Sequence, residues 1–229
     1  MAIDLNRYFY DENGGVVMRK WLLILLAVFT VALPSISGAT LIISSGLVGG
    51  SGDVENVLFN EAGLLATGTT VQGITNQTDS IVNFISNENL LTPPSGQARI
   101  EAQDGAFDNL VIAMNDPSKG FSKLQFNINS AFDGTVTFSI KDQFGVIFGD
   151  TFPLDDNGQN FFTMYSLDNQ IMVNAIISST VPIQAITDLS QVRIGPADIS
   201  NPVPEPATLL LLGIGLIGVA GYGRKKFKK

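Results

Sequence analysis

Two stretches of this chain gather oxygen-bearing side chains in a way that invites cation chemistry. Asp150, Asp155, Asp156 and Asn157 read as one loop, and Asp104 and Asp108 as another. A hard cation such as calcium takes roughly six to eight converging oxygens, and loops between strands can supply them. No EF-hand spacing is present, however, and Asp and Asn are also the residues that tight turns select. Turn chemistry and solubility are the expected role of these residues, and no cofactor is expected. Calcium at Asp150, Asp155 and Asp156 is the alternative reading.

Catalytic constellations are poorer still. The chain has no His and no Cys, which removes the commonest general base, the thiolate nucleophile and the usual triads. Glu101 with Asp104 or Asp108 could form the carboxylate pair of a glycan hydrolase. Such a pair needs one acid of raised pKa beside an ionised one. Nothing in their spacing distinguishes them from a solvated strand edge, so the expectation is a protein that is not an enzyme. Sugar binding is the rival function. Glycan platforms stack sugars on Trp or Tyr, yet the single Trp is Trp21, near the front, and the middle of the chain holds one Tyr, Tyr165. Phe161 and Phe162 are adjacent, so a strand there must turn one of them away from the core. Asn76-Gln77-Thr78 matches a glycosylation sequon, a three-residue pattern that chance supplies often.

Charge is distributed unevenly. Five of the 13 basic residues fall within the last six positions, and three more lie at or before Lys20. Between Thr40 and Val203 five basic residues face 17 acidic ones, a balance of −12. A domain of that sign repels phosphate backbones, so no nucleic-acid partner is expected. The basic clusters belong to membrane topology instead.

At the front, Met18-Arg19-Lys20 precedes an uncharged run from Trp21 to Leu33, then Pro34 and the small residues Ser35 to Ala39. This order of basic, apolar and small segments is the secretory pattern. It predicts a signal helix in residues 18–39, cleavage between Ala39 and Thr40, and a natural start at Met18. Residues 1–17, with Asp4, Asp11 and Glu12, then form an upstream extension. At the end, Val203-Pro204-Glu205-Pro206 leads into an uncharged, Gly-rich stretch over 207–223 and the basic stop Arg224, Lys225 and Lys226. Roughly seventeen apolar residues can just span a thin bilayer as a helix. The basic stop stays cytoplasmic, leaving the domain outside.

Val-Pro-Glu-Pro, an apolar Gly-rich helix and a terminal basic cluster together resemble the PEP-CTERM sorting signal of Gram-negative bacteria. The resemblance covers residues 201–229. It implies recognition by an exosortase, a membrane protease-transpeptidase, in organisms that make exopolysaccharide. Val203, Pro204, Glu205 and Pro206 are then the substrate of another enzyme. The implied course is export, anchoring in the inner membrane, processing, and release to the cell surface or beyond. A role beside exopolysaccharide in biofilm follows, with a carbohydrate-binding module as the alternative.

Residues 40–200 must supply the folded domain. Leu124, Phe126 and Ile128 alternate with Gln125, Asn127 and Asn129; Val136, Phe138 and Ile140 alternate with Thr135, Thr137 and Ser139. Ala98, Ile100 and Ala102, then Leu110, Ile112 and Met114, repeat the pattern, as do Ile171, Val173, Ala175 and Ile177, with Val192 and Ile194 as a short last strand. Period two describes strands buried on one side and wet on the other. Asp104-Gly105, Asp133-Gly134 and Asn157-Gly158 are turn dipeptides. The expected fold is all-β, an antiparallel two-sheet sandwich of jelly-roll type between the signal helix and the transmembrane helix. The domain also resembles the bodies of other PEP-CTERM proteins around Gln97–Glu101, Gly158–Thr163 and Gln191–Gly195, a likeness that brings no activity with it.

Overall fold

In the computed structural model, residues 41–94, 98–156, 159–167, 170–181, 186–199 and 213–215 are described. A compact unit spans Ala39–Ile199, and residues 1–38 with 200–229 form a second. The signal segment, the cleavage site Ala39–Thr40 and nearly all of the tail lie outside the described residues; of the tail, 213–215 are helical. No helix among the described residues is long and apolar enough to cross a membrane.

The domain is built from twelve strands: β1 (Leu41–Ser45), β2 (Glu55–Leu58), β3 (Thr67–Thr75), β4 (Ile81–Leu91), β5 (Arg99–Ala102), β6 (Asn109–Met114), β7 (Lys119–Ser130), β8 (Gly134–Asp142), β9 (Ile147–Leu154), β10 (Asn160–Ser166), β11 (Met172–Val181) and β12 (Ile186–Asp198). They run in the order β1-β10-β7-β12-β2-β3-β4-β6-β11-β8-β9, with β5 set between β12 and β4. A further pairing of β7 with β11, Phe121 opposite Met172, closes the strands from β7 to β11 into a ring. The β10–β1 and β8–β9 pairs extend from that ring and face one another through aromatic side chains. Phe138 of β8 and Phe162 of β10 lie 4.7 Å apart between ring centroids, and Phe152 of β9 lies 5.6 Å from Phe162. The result is a barrel-like sandwich in which every described strand pairing is antiparallel.

The alternation of β8 holds: Val136, Phe138 and Ile140 are fully buried, packed with Phe126, Leu124 and Ile177 in one apolar core. The strand β7 departs from its expected wet face. Gln125 and Asn127 are buried, each 3 % exposed; the chain between β1 and β2 reaches Gln125, and β12 lies beside Asn127. Gln125 Nε2 donates to the Val48 carbonyl at 3.1 Å, and Asn127 Nδ2 donates to Ser190 Oγ at 3.4 Å. These bonds offset the burial of both amide nitrogens, while Asn127 Oδ1 stays buried without a partner among the described residues. The phase of β11 also differs. A register shift between Met172 and Asn174 buries Met172 beside Ile171 and leaves Val173 half-buried. Gly120 lets β7 pass β11 at this crossing, since a methyl group there would collide with Ile171 and the Met172 carbonyl. The last strand is longer than its two alternating residues announce. A shift between Ser190 and Arg193, with Gln191 at φ 53°, interrupts its pattern.

Glu55 fastens the turn between β3 and β4. Its Oε2 accepts from Gln77 N at 3.1 Å, Thr78 N at 2.9 Å and Thr78 Oγ1 at 3.1 Å. Burial opposes its ionisation, but bonds from Thr78, Thr75 and Gln77 outweigh that and hold its carboxyl below the ordinary 4.5. A depressed carboxylate stabilises the fold above its unfolded pKa, and that contribution is lost as pH falls through the folded value. Glu55→Gln is expected to cost about 1.5–3 kcal/mol at pH 7, the range for hydrogen bonds to a charged group. Its urea stability should also change less than the wild type's as pH falls from 4.5. Parallel acid profiles for the two proteins refute this role.

Candidate functional site

The loop residues singled out for cation chemistry are divided by the fold. Asp150 lies within β9, opposite Phe138, and its Oδ1 accepts from Thr151 N at 2.8 Å. It therefore does not share a loop with Asp155 and Asp156, which follow β9. Those two converge instead with Asp133, one ligand oxygen from each lying within 4.8 Å of the others, and all three are exposed. Asp133 Oδ1 accepts from Asp156 N at 3.0 Å, and Asp155 N donates to Asn160 Oδ1 at 2.9 Å. The convergence has a simple cause. Gly134 pairs with Leu154 at the open end of the β8–β9 hairpin, which brings the β7–β8 turn against the residues after β9. Asp133 was legible only as the first half of a turn dipeptide. Its nearness to Asp155 follows from a pairing that no local pattern announces.

All three carboxylates are solvated, and Asp133 also serves the turn by accepting from the Asp156 backbone. EDTA is therefore expected to shift the melting temperature by less than about 2 °C. A fall of more than about 10 °C, at roughly 2–4 °C per kcal/mol for this size, would instead restore calcium.

Glu101 forms an ion pair with Arg99 on the same face of β5. Phe162 enters the core at 1 % exposure, and Phe161 is half-buried on the opposite face. In the sequon, Asn76 Oδ1 accepts from Asn56 N at 2.9 Å, and Thr78 serves Glu55. Both residues therefore have work in the turn.

One feature escaped the sequence altogether. A surface cavity of about 420 Å³ is lined by Asn87, Glu88 and Asn89 at the end of β4 and by Gln103 and Asp104 after β5. Pairing of Leu90 with Ala102, and a 2.8 Å bond from Gln103 N to the Asn89 carbonyl, hold the two segments side by side. Every lining side chain is an amide or a carboxylate. Together they offer donors and acceptors in close alternation, the chemistry that vicinal hydroxyls satisfy. The run Asn87-Glu88-Asn89 was the only sequence signal, and it reads equally well as a wet strand end.

The sorting residues Val203, Pro204, Glu205 and Pro206 and the stop Arg224, Lys225 and Lys226 lie outside the described residues, so sequence likeness alone speaks for them. Residues 202–225 match the PEP-CTERM protein-sorting motif. No curated protein matches the chain. Among solved structures, an exo-β-agarase is 12 % identical with a TM-score of 0.35 over 64 % of this chain, which spans only 25 % of the agarase. A family 29 carbohydrate-binding module mutant is 12 % identical, with a TM-score of 0.31 over 72 % of this chain and 99 % of its own. A family 29 module from Piromyces equi is 10 % identical, with a TM-score of 0.30 over 72 % and 97 %.

Proposed function

We propose that this chain, a carrier of the PEP-CTERM sorting motif, is a non-enzymatic surface or extracellular-matrix protein working beside exopolysaccharide in biofilm. The observation that carries the reading is the motif itself, at residues 202–225. It marks an exported protein, anchored in the membrane until an exosortase processes its tail. Two further facts support the non-catalytic half. The chain has neither His nor Cys, and Glu101, one of the candidate carboxylates, is engaged by Arg99.

Residues 18–39 serve as the signal peptide, with Thr40 as the first mature residue. In cells lacking the exosortase, the chain is expected to stay in the inner membrane at the mass of residues 40–229. In its presence the surface form is expected to be lighter and to begin at Thr40 by N-terminal sequencing. The surface form should also leave the length of the host's exopolysaccharide unchanged. Identical masses and fractions with and without the exosortase would refute the sorting reading; shortening of the polymer would replace it with an enzyme.

The carbohydrate-binding reading is favoured by one observation, the amide and carboxylate cavity at Asn87–Asn89 and Gln103–Asp104. Affinity electrophoresis in gels containing the exopolysaccharide distinguishes it. A retardation relieved by Asn89→Ala with Gln103→Ala would make the domain a polysaccharide-binding module.

A further inference from the structure

The cavity between the end of β4 and the residues after β5 has a sign as well as a shape. Of the side chains that line its roughly 420 Å³, Glu88 and Asp104 are carboxylates, Asn87, Asn89 and Gln103 are amides, and none is basic. Cavities that hold small ligands run from about 300 to 1,000 Å³. Asn89, Gln103 and Asp104 are exposed, and no hydrogen bond among the described residues takes up their side chains. Glu88 is half-buried, so water and salt screen its charge less than that of a surface carboxylate. The backbone around these groups is fixed. Ser86 Oγ donates to the Asn109 carbonyl at 2.7 Å and accepts from Glu88 N at 3.3 Å. Gly105, at φ 110°, turns the chain after Asp104, and its N–H donates to the Ala102 carbonyl at 3.2 Å. Leu90 and Ala102, next to the lining residues, pair with each other and are buried, which anchors both walls in the core. A site held in place before its ligand arrives loses less freedom on binding.

The surroundings share the sign of the cavity. Between Thr40 and Val203 the balance is −12, and Arg99, the basic residue of β5, is engaged by Glu101. A field of one sign concentrates ligands of the other and repels those of its own. A polysaccharide bearing uronate, sulfate or phosphate therefore meets repulsion on approach and two carboxylates at the wall. A neutral glycan satisfies the amides but brings no charge to Glu88 and Asp104. A glycan bearing ammonium groups satisfies both sets. Its hydroxyls exchange hydrogen bonds with the amides, and its ammonium donates charge-assisted bonds to the carboxylates. A bare metal ion suits the cavity less, because it takes oxygens alone and leaves the amide N–H donors unused.

We propose that this cavity binds amino sugars whose nitrogen is unacylated and protonated, as in a deacetylated hexosamine polymer. The proposal rests on the carbohydrate-binding reading of the same cavity and names the class of glycan that it takes.

The full chain in nonionic detergent is titrated calorimetrically with hexamers of glucosamine, N-acetylglucosamine and glucose. The glucosamine hexamer is expected to bind about tenfold more tightly than the other two, the scale of two charge-assisted contacts at a partly solvated wall. Glu88→Gln with Asp104→Asn should erase that preference while leaving the amides in place. Asp104→Asn alone, on an exposed turn, should weaken it and serves as the test if the double variant does not fold. Asp155→Asn with Asp156→Asn removes the same formal charge from another exposed turn and is expected to keep the preference. An equal loss in the two double variants reduces the effect to net charge and overturns the site. Equal affinity for the three hexamers overturns the ammonium class and leaves carbohydrate binding standing. No binding of any hexamer overturns both.

Discussion

Cells carrying Pro204→Ala, Glu205→Ala and Pro206→Ala together are expected to export the chain normally and then fail to release it. Residues 18–39, the proposed signal segment, are untouched, and so are the apolar stretch and the basic residues Arg224, Lys225 and Lys226. What changes is the backbone at the site to be read. Each proline fixes its own φ, and Pro206 also confines Glu205 to extended conformations. Extended chain is the form in which a protease can grip a substrate along its edge. Alanine is the best helix former, so the triple variant is expected to favour helix where the prolines disfavour it and to withdraw the segment from extended form. The full-length anchored form should accumulate in the inner membrane, and the surface form should fall below a tenth of its normal amount. Fractionation followed by intact mass measurement checks this. Equal masses and equal distribution for variant and wild type would reduce the tail to a plain anchor.

The parts of this protein that could be read from sequence are those whose physics is local. Val136, Phe138 and Ile140 declare their strand because one face of β8 meets the core and the other meets water. The sorting tail declares itself because order and spacing within 24 residues, 202–225, carry all the information. Where a second layer intervenes, the rule fails. Gln125 alternates with apolar residues as a solvent-facing side chain does, yet the segment after β1 reaches it through Val48. That segment is far from β7 in sequence, so no window around β7 could reveal it. The edge strand β9, from Ile147 to Leu154, fails for a different reason. Its core-facing side, Phe148, Phe152 and Leu154, is interrupted by Asp150, and its outer side carries the exposed Ile147 with Gly149 and Pro153, so the alternation is broken. Both candidate sites are products of pairing. Asp133 reaches Asp155 and Asp156 through the β8–β9 register, and Gln103 reaches Asn89 through β4 and β5.

Phe138 is where the largest loss of stability is expected. The ring is fully buried and touches three others, with centroids at 5.7 Å to Phe126, 5.8 Å to Phe152 and 4.7 Å to Phe162. These four rings join β7 and β10 to β8 and β9, so they hold the two wings of the sandwich together. Phe138→Ala removes the buried ring and leaves a cavity that flanking strands cannot fill without breaking their pairing. A cost of about 4 kcal/mol is expected, against a total of roughly 5–15 kcal/mol for a domain. Phe138→Leu keeps most of the volume and should cost about 1.5 kcal/mol. Phe162→Ala combined with Phe138→Ala should cost less than the sum of the two, by about 0.5–1.5 kcal/mol, the measured range for aromatic pairs. Phe132, 55 % exposed in the β7–β8 turn, supplies the control, and Phe132→Ala should stay within about 0.5 kcal/mol of wild type. Urea midpoints measured at constant slope give these values directly. If Phe138→Ala costs no more than Phe132→Ala, the aromatic cluster does not hold the wings together, and the packing described between β8 and β10 is wrong.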